Sequence, residues 1–362
     1  MSSAPTPKQG TRPVAVVAFA QSPSQRRIEQ ANEVELLMPV VHDAYNAAGM
    51  TKDDIDFICS GSTDYLIGGP FSFVTALDAV GVWPPKRESH VEMDGAWALY
   101  EAWVQLQEEE CDVALVYGFG KSSLGDLNRI LALQLDPYTM APLWPDQVSL
   151  AALQAQAMID QGLASEEDFA RIASRARHNA LSNPNAQVAN DKSMEELLQD
   201  DYVVAPLRRH ALPPLSDAAA AMILVAGDRA FDVVDRPAWI TGIDHRIEAH
   251  ALGVRKLTES VSTTKAAEVA GVNDGAVDIA EIHAPFAHQE ILLRRAMGLD
   301  ESTTVNPSGG PLAANPLMAG GLIRIGEAAN RIMDGSASRA VAHATSGPVL
   351  QQNLVAVLEG AS

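Results

Sequence analysis

The chain has 362 residues, 47% of them hydrophobic, and carries 46 acidic against 26 basic side chains, a formal charge of −20. That length holds two ordinary domains or one duplicated one, and the charge argues against nucleic acid, because the basic residues form no stripe that could neutralise phosphates. The longest apolar stretch near the start, Val14 to Ala20, is too short to span a bilayer, and the polar, proline-bearing segment before it has no cleavable pattern, so a cytoplasmic protein without membrane attachment is expected.

The β-branched run Val14 to Phe19 predicts the first strand, and Glu33 to Ala48 a helix closed by Gly49. Asp53 to Cys59 reads as the next strand. Ala96 to Glu108 is a predicted helix with a solvated acidic end, Glu108-Glu109-Glu110, and Asp112 to Gly118 a buried strand. Strands alternating with helices imply an α/β fold with buried sheets. Both cysteines, Cys59 and Cys111, sit in apolar runs, as small buried hydrophobes do in a reducing compartment.

The order then recurs. Ala238 to Ile243 is a predicted strand, Val277 to Ile282 resembles the strand at Ile55, and Ser338 to Gly347 resembles Cys111 to Lys121, which suggests an internal duplication. We divide the chain into a first half, 1–230, and a second, 231–362. Within the first, residues from about 121 to 207 break the rhythm with helices predicted from Gln147 to Gln161 and Glu166 to Ala180, an excursion with the character of a lid or substrate domain. Two tempting patterns fail: Gly118-Phe119-Gly120-Lys121-Ser122 lacks the upstream glycine of a phosphate loop, and the nine histidines show no metal-ligand spacing.

Four segments in the same order resemble the thiolase superfamily, and within it the sterol-carrier-protein or lipid-transfer-protein branch. Ser89-His90-Val91-Glu92-Met93-Asp94-Gly95 resembles the strand-to-helix turn that mounts the family's acylated cysteine. Ser216-Asp217-Ala218-Ala219-Ala220 resembles its Asn-Asp-Gly-Ala-Ala strand, Glu281-Ile282-His283-Ala284-Pro285-Phe286 its Asn-Glu-x-Phe, or His-Asp-x-Phe, motif, and Asn306-Pro307-Ser308-Gly309-Gly310 with Ala314-Asn315-Pro316 its Asn-x-Ser-Gly-Gly and Gly-His-Pro stretch. The resemblance implies a five-layered αβαβα thiolase fold built from two similar halves with an inserted loop domain.

The departures carry the functional expectation. Family thiolases use a nucleophilic cysteine, a histidine that activates it and a second cysteine; those places here hold Glu92, Asn315 and Thr345-Ser346-Gly347. Without an acyl-cysteine, the chemistry implied by relatives of this kind is retro-aldol cleavage of a β-hydroxyacyl-CoA thioester of a steroid side chain, which needs a base and donors to an enolate but no covalent nucleophile. His283 is the expected polar group at the thioester oxygen, Asn315 an amide donor or a loop cap, and Glu92 or Asp94 the base or a helix-start carboxylate. His343 is a further candidate that also reads as a core histidine, and His288 lies at a helix start. Ser346 and Gly347 are assigned with Arg208 and Arg209 to the CoA moiety, the arginines as part of a cluster with Arg171, Arg175 and Arg177. No cofactor is implied beyond the CoA of the substrate. The expected assembly is a homodimer or a heteromer with a thiolase-like paralogue and a small OB-fold protein, and the rival reading is a non-catalytic subunit of such a heteromer.

Overall fold

The structure, a computed structural model, describes residues 4–8 and 10–361. In chain order the first half holds β1 (Val14–Gln21), α1 (Glu33–Ala48), β2 (Phe57–Gly61), α2 (Asp64–Ile67), α3 (Ser72–Val80), β3 (Arg87–Val91), α4 (Gly95–Gln107) and β4 (Val113–Lys121). An excursion follows, with α5 (Leu127–Leu133), α6 (Gln147–Asp160), α7 (Glu166–Asn179), α8 (Met194–Leu197) and a small hairpin of β5 (Tyr202–Val204) and β6 (Leu207–Arg208). The chain re-enters the sheet as β7 (Asp217–Ala226) and passes through α9 (Ala230–Val233). The second half then runs β8 (Ala238–Ile247), α10 (Val261–Ala270), β9 (Ile279–Ile282), α11 (Ala287–Met297), β10 (Thr304–Val305), α12 (Gly320–Met333), β11 (Arg339–Ser346) and β12 (Gln352–Glu359).

The sheet order is β10-β9-β11-β12-β8-β1-β7-β4-β2-β3. It reads the same from both ends: in each half the third strand lies outermost, followed by the second, fourth, fifth and first. Within the sheet the two five-stranded units are joined by the pairing of β1 with β8, Ala15 opposite Trp239 and Val16 opposite Ala238. The repeat extends to single residues. Asp56 Oδ2 accepts from the amides of Asp112 and Val113, and Asp278 Oδ2 accepts from those of Ser338 and Arg339, so each half ties the start of its second strand to the start of its fourth by the same carboxylate.

Five layers follow from the packing. Helices α1 and α3 cover the outer face of the first unit through Leu37, Val41, Ala76 and Val80, and α10 and α11 cover that of the second through Ala267, Leu292 and Leu293. Between the units lie α4 and α12, whose Trp97, Leu99, Leu322 and Ile325 share one core with strand residues of both units. This is the expected αβαβα arrangement. The excursion folds on its own small core, Phe169, Ile172 and Leu197, and docks through Phe286, Ala287 and Leu312.

Two strands start later than the sequence suggests. Residues 52–54 form a 3-10 turn rather than strand, because Thr51 and Asp54 cap each other in a closed box and short acidic and hydroxyl side chains prefer such local bonds to a ladder. Val277 and Asp278 precede β9, where the Asp278 carboxylate is committed to the β11 amides. The glycines of the rejected phosphate-loop pattern have a packing role: a Cβ at Gly118 or Gly120 would come within 2.3 Å of the Met318 carbonyl or 2.2 Å of the Leu317 carbonyl. That segment therefore lies directly on β4.

Candidate active site

The cavity opens at the carboxyl ends of parallel strands from both halves, where α/β sheets place ligands. β2 delivers Thr63, β3 delivers Glu92, Met93 and Asp94, β4 delivers Ser122, β9 delivers His283, and β11 delivers Thr345, Ser346 and Gly347. The amino termini of α4 and α12 point at the same place. The cavity measures about 460 Å³, and its further wall is apolar: Leu127, Leu131, Leu135, Met140, Phe286, Val349 and Leu350.

His283 is 5% exposed. The Thr345 amide, which can only donate, faces its Nδ1 at a long 3.5 Å, which assigns the proton to Nε2. Nε2 then donates to Asn315 Oδ1 at 2.9 Å. Burial pulls the imidazole below its ordinary range, opposed by the nearby Asp94 carboxylate and the Asn315 bond, so the ring is neutral at neutral pH. The consequence lies at Asn315. With its oxygen held by the imidazole and its backbone by Ser216 Oγ at 3.0 Å, its side-chain NH₂ is left as the donor on the cavity side.

The Asn-Pro-Ser-Gly-Gly motif braces this pair from behind. Asn306 Oδ1 accepts from the Ile282 amide at 2.7 Å and its Nδ2 donates to Glu290 at 3.2 Å. Glu281 takes the Ser308 amide and hydroxyl, and Arg324 of α12 bonds both Glu281 at 2.7 Å and Ser308 at 2.6 Å. A buried ion pair satisfied by hydrogen bonds on both partners thus anchors the strand residue two before His283.

Asp94 joins the two central helices. Its Oδ1 accepts from Ala96 at 2.9 Å and Leu322 at 3.0 Å, and its Oδ2 from Gly321 at 2.9 Å, so one carboxylate caps α4 and α12 together. A Cβ at Gly321 would stand 2.6 Å from that carboxylate, which only glycine avoids. Three amide donors occupy Asp94 as a cap. Glu92 lines the cavity, but the burial asked of a base is absent: its side chain is 46% exposed. Its Oε1 accepts from Thr63 Oγ1 at 2.7 Å and the Asp64 amide at 2.8 Å. Its Oε2 lies 3.4 Å from His90 Nε2, and that ring stacks on Phe73 and meets Ser60 through Nδ1.

Other sequence candidates fall elsewhere. His343 is fully buried within β11, two residues before Thr345 and outside the cavity lining, bonded to Asn353 at 3.0 Å and pushed down to about 3 by burial; its carbonyl receives the His283 amide. His288 faces Gln154 and is likewise pushed down to about 3. The arginine cluster does not converge on the cavity: Arg208 is consumed by Glu166, Tyr202 and the Asp200 carbonyl, Arg171 pairs with Asp168, Arg175 with Glu290, and Arg209 is exposed. Ser346 and Gly347 do line the cavity, as do Gln351 and Gln352. Sequence reading missed Thr63, which carries no motif, and met Ser122 only in the rejected phosphate-loop pattern; both reach the cavity through strand order.

No protein-family model matches the sequence. The chain is 27% identical over 350 residues to an acetyl-CoA acetyltransferase of Methanocaldococcus jannaschii, covering 87% of this chain and 88% of that one. It is 25% identical over 382 residues to sterol carrier protein 2 of Gallus gallus, covering 91% of this chain and 68% of that one. Among solved structures, one described as an Ltp2-ChsH2(DUF35) aldolase superposes with a TM-score of 0.80 at 18% identity, covering 96% and 98% of the two chains. Human mitochondrial 3-ketoacyl-CoA thiolase superposes with 0.78 at 17%, covering 97% and 99%. The fold is that of the thiolases. In sequence the chain is similar, over most of its length, to the acetyl-CoA acetyltransferase and to sterol carrier protein 2.

Proposed function

We propose that the chain is a carbon–carbon lyase that cleaves a β-hydroxyacyl-CoA thioester by a retro-aldol step, with a branched steroid side chain as the acyl group. The observation that carries this reading is the pairing of neutral His283 with Asn315, which presents an amide donor to the cavity that Glu92 also lines. Glu92 takes the β-hydroxyl proton, the bond between the α and β carbons breaks to leave a ketone or aldehyde, and the electron pair moves onto the thioester as an enolate. The Asn315 amide meets the enolate oxygen, and protonation of the α carbon completes a shorter acyl-CoA.

Both cysteines lie outside the cavity, Cys59 within β2 and Cys111 before β4, and the aldolase named above shares the fold; each supports a route without an acyl-enzyme. The apolar wall suits a hydrocarbon acyl group. The pairing of the cluster arginines within the chain is what an arrangement with a partner subunit for the nucleotide of CoA would show, and we assign that part to a thiolase-like paralogue or a small OB-fold protein.

A second reading, a non-catalytic subunit of such a heteromer, is favoured by one observation: Asp94 caps two helices and Glu92 is bonded to Thr63 and the Asp64 amide at the start of α2, structural contacts that a scaffold needs as much as an enzyme. Turnover by His283→Ala and Glu92→Gln variants separates the two. The lyase reading expects each to lose about 10²-fold or more in kcat with folding intact; undiminished activity in both overturns the site.

A further inference from the structure

The five residues between β11 and β12, Gly347 to Gln351, form a turn with three left-handed residues. Gly347 has φ 74°, Val349 48° and Leu350 61°. A β-branched residue at positive φ is a marked departure from ordinary backbone sterics and persists where its surroundings over-determine it. Here they do. The carbonyls of Pro348 and Val349 accept from the two terminal nitrogens of Arg255 at 2.8 and 3.0 Å. The Leu350 carbonyl accepts from Asn353 Nδ2 at 2.9 Å and the Gln351 carbonyl from the Glu248 amide at 2.8 Å. Four consecutive carbonyls are thus held by donors outside the turn.

The position matches the strain. Thr345, two residues before the turn, places its amide toward His283, while Val349 and Leu350 line the apolar part of the same cavity. Val349 packs with Leu135 and Met140, which also face the cavity, and with Leu150. Asn353, which holds Leu350, bonds His343 through its other side-chain atom. One rigid loop therefore fixes the distance between the polar end of the cavity and its apolar wall.

We propose that this turn sets the acyl-chain length the cavity accepts, with Val349 as the specificity-determining residue and Arg255 as the positioning residue that keeps the turn in place. The proposal rests on the reading that the cavity takes an acyl thioester. Val349→Gly removes three carbons and also relieves the left-handed conformation, so the variant folds; Arg255→Met keeps the side-chain stem and releases two carbonyls.

The test is equilibrium binding of saturated straight-chain acyl-pantetheine thioesters of increasing length, which lack the nucleotide assigned to a partner, to wild type and both variants, with thermal melts alongside. A buried methylene is worth about fourfold in affinity. Val349→Gly is expected to move the optimum to longer esters, with a gain of roughly fifteenfold for an ester two methylenes longer, and Arg255→Met to flatten the dependence on length. An unchanged order of affinities in both variants, with only the melting temperature altered, overturns the proposal. Wild-type binding of the esters without cleavage of their β-hydroxy counterparts would remove the lyase reading while leaving the length series to decide this one, whereas failure of wild type to bind any ester overturns both.

Discussion

His283 stands 2.9 Å from the side-chain oxygen of Asn315, and the direction of that bond decides what the cavity offers a substrate. A neutral imidazole donating from Nε2 orients the amide so that its NH₂ is the donor on the cavity side. Asn315 stands where the resemblance to thiolases would put an activating histidine, and the structure makes it the end of a short donor chain: Thr345 amide to imidazole, imidazole to amide oxygen.

Asn315→Ala removes the donor at the developing enolate oxygen while leaving the imidazole in place. The loss expected is about 10²–10³-fold in kcat, with KM little changed, as for the removal of one oxyanion donor. Steady-state kinetics on a β-hydroxyacyl thioester measures it; an equal loss in KM alone would assign Asn315 to ground-state binding.

Acid stability depends on the buried histidines. His288 and His343 are held neutral by burial down to about pH 3, whereas in the unfolded chain they take a proton near 6.5. Their contribution is therefore fully present above pH 6.5 and is lost as pH falls from there toward 3, at about 1.4 kcal/mol per pH unit for each group. Urea unfolding at several pH values reads the slope. His343→Gln, whose amide keeps a donor toward Asn353, is expected to flatten it by about one proton.

Asp94→Ala uncaps α4 and α12 at once. Each lost cap costs about 0.5–2 kcal/mol, so a fall of about 1–4 kcal/mol in unfolding free energy is expected, and Asp94→Asn, which keeps an oxygen acceptor, loses less. A denaturation midpoint shared by wild type and Asp94→Ala would show that the carboxylate does not join the two helices.

Breaking the buried Glu281–Arg324 pair by Glu281→Gln leaves a buried guanidinium without its counter-charge, and a loss of about 3–5 kcal/mol is expected. The double replacement Glu281→Met with Arg324→Met costs less than Glu281→Gln alone, because it removes both charges together. Comparing the two in urea checks whether the pair anchors the strand before His283 or merely fills space.

Much of the architecture was legible because it is local. Alternating apolar strands and capped helices located most elements, and the second half could be matched to the first through strands at Ile55 and Cys111 whose partners in the sheet proved equivalent. The late starts of β2 and β9 were not legible, since an aspartate reads as a weak strand residue and only the fold shows it bonding the neighbouring strand. The site divides in the same way. His283 announced itself by matching a motif and Glu92 and Asn315 by departing from one, and all three line one cavity. The role of Asp94 depends on amides 227 and 228 residues further along the chain, those of the arginines on which carboxylates face them in the fold, and the strained turn at Val349 and Leu350 carries no sequence mark at all.

The central claim is tested most directly by product analysis. The purified chain, alone and with co-expressed neighbouring subunits, is incubated with a β-hydroxyacyl-CoA carrying a steroid side chain, and the products are identified by mass spectrometry. A steroid ketone or aldehyde formed together with a shorter acyl-CoA is the result predicted here; unchanged substrate in every combination, or release of free CoA, would contradict it.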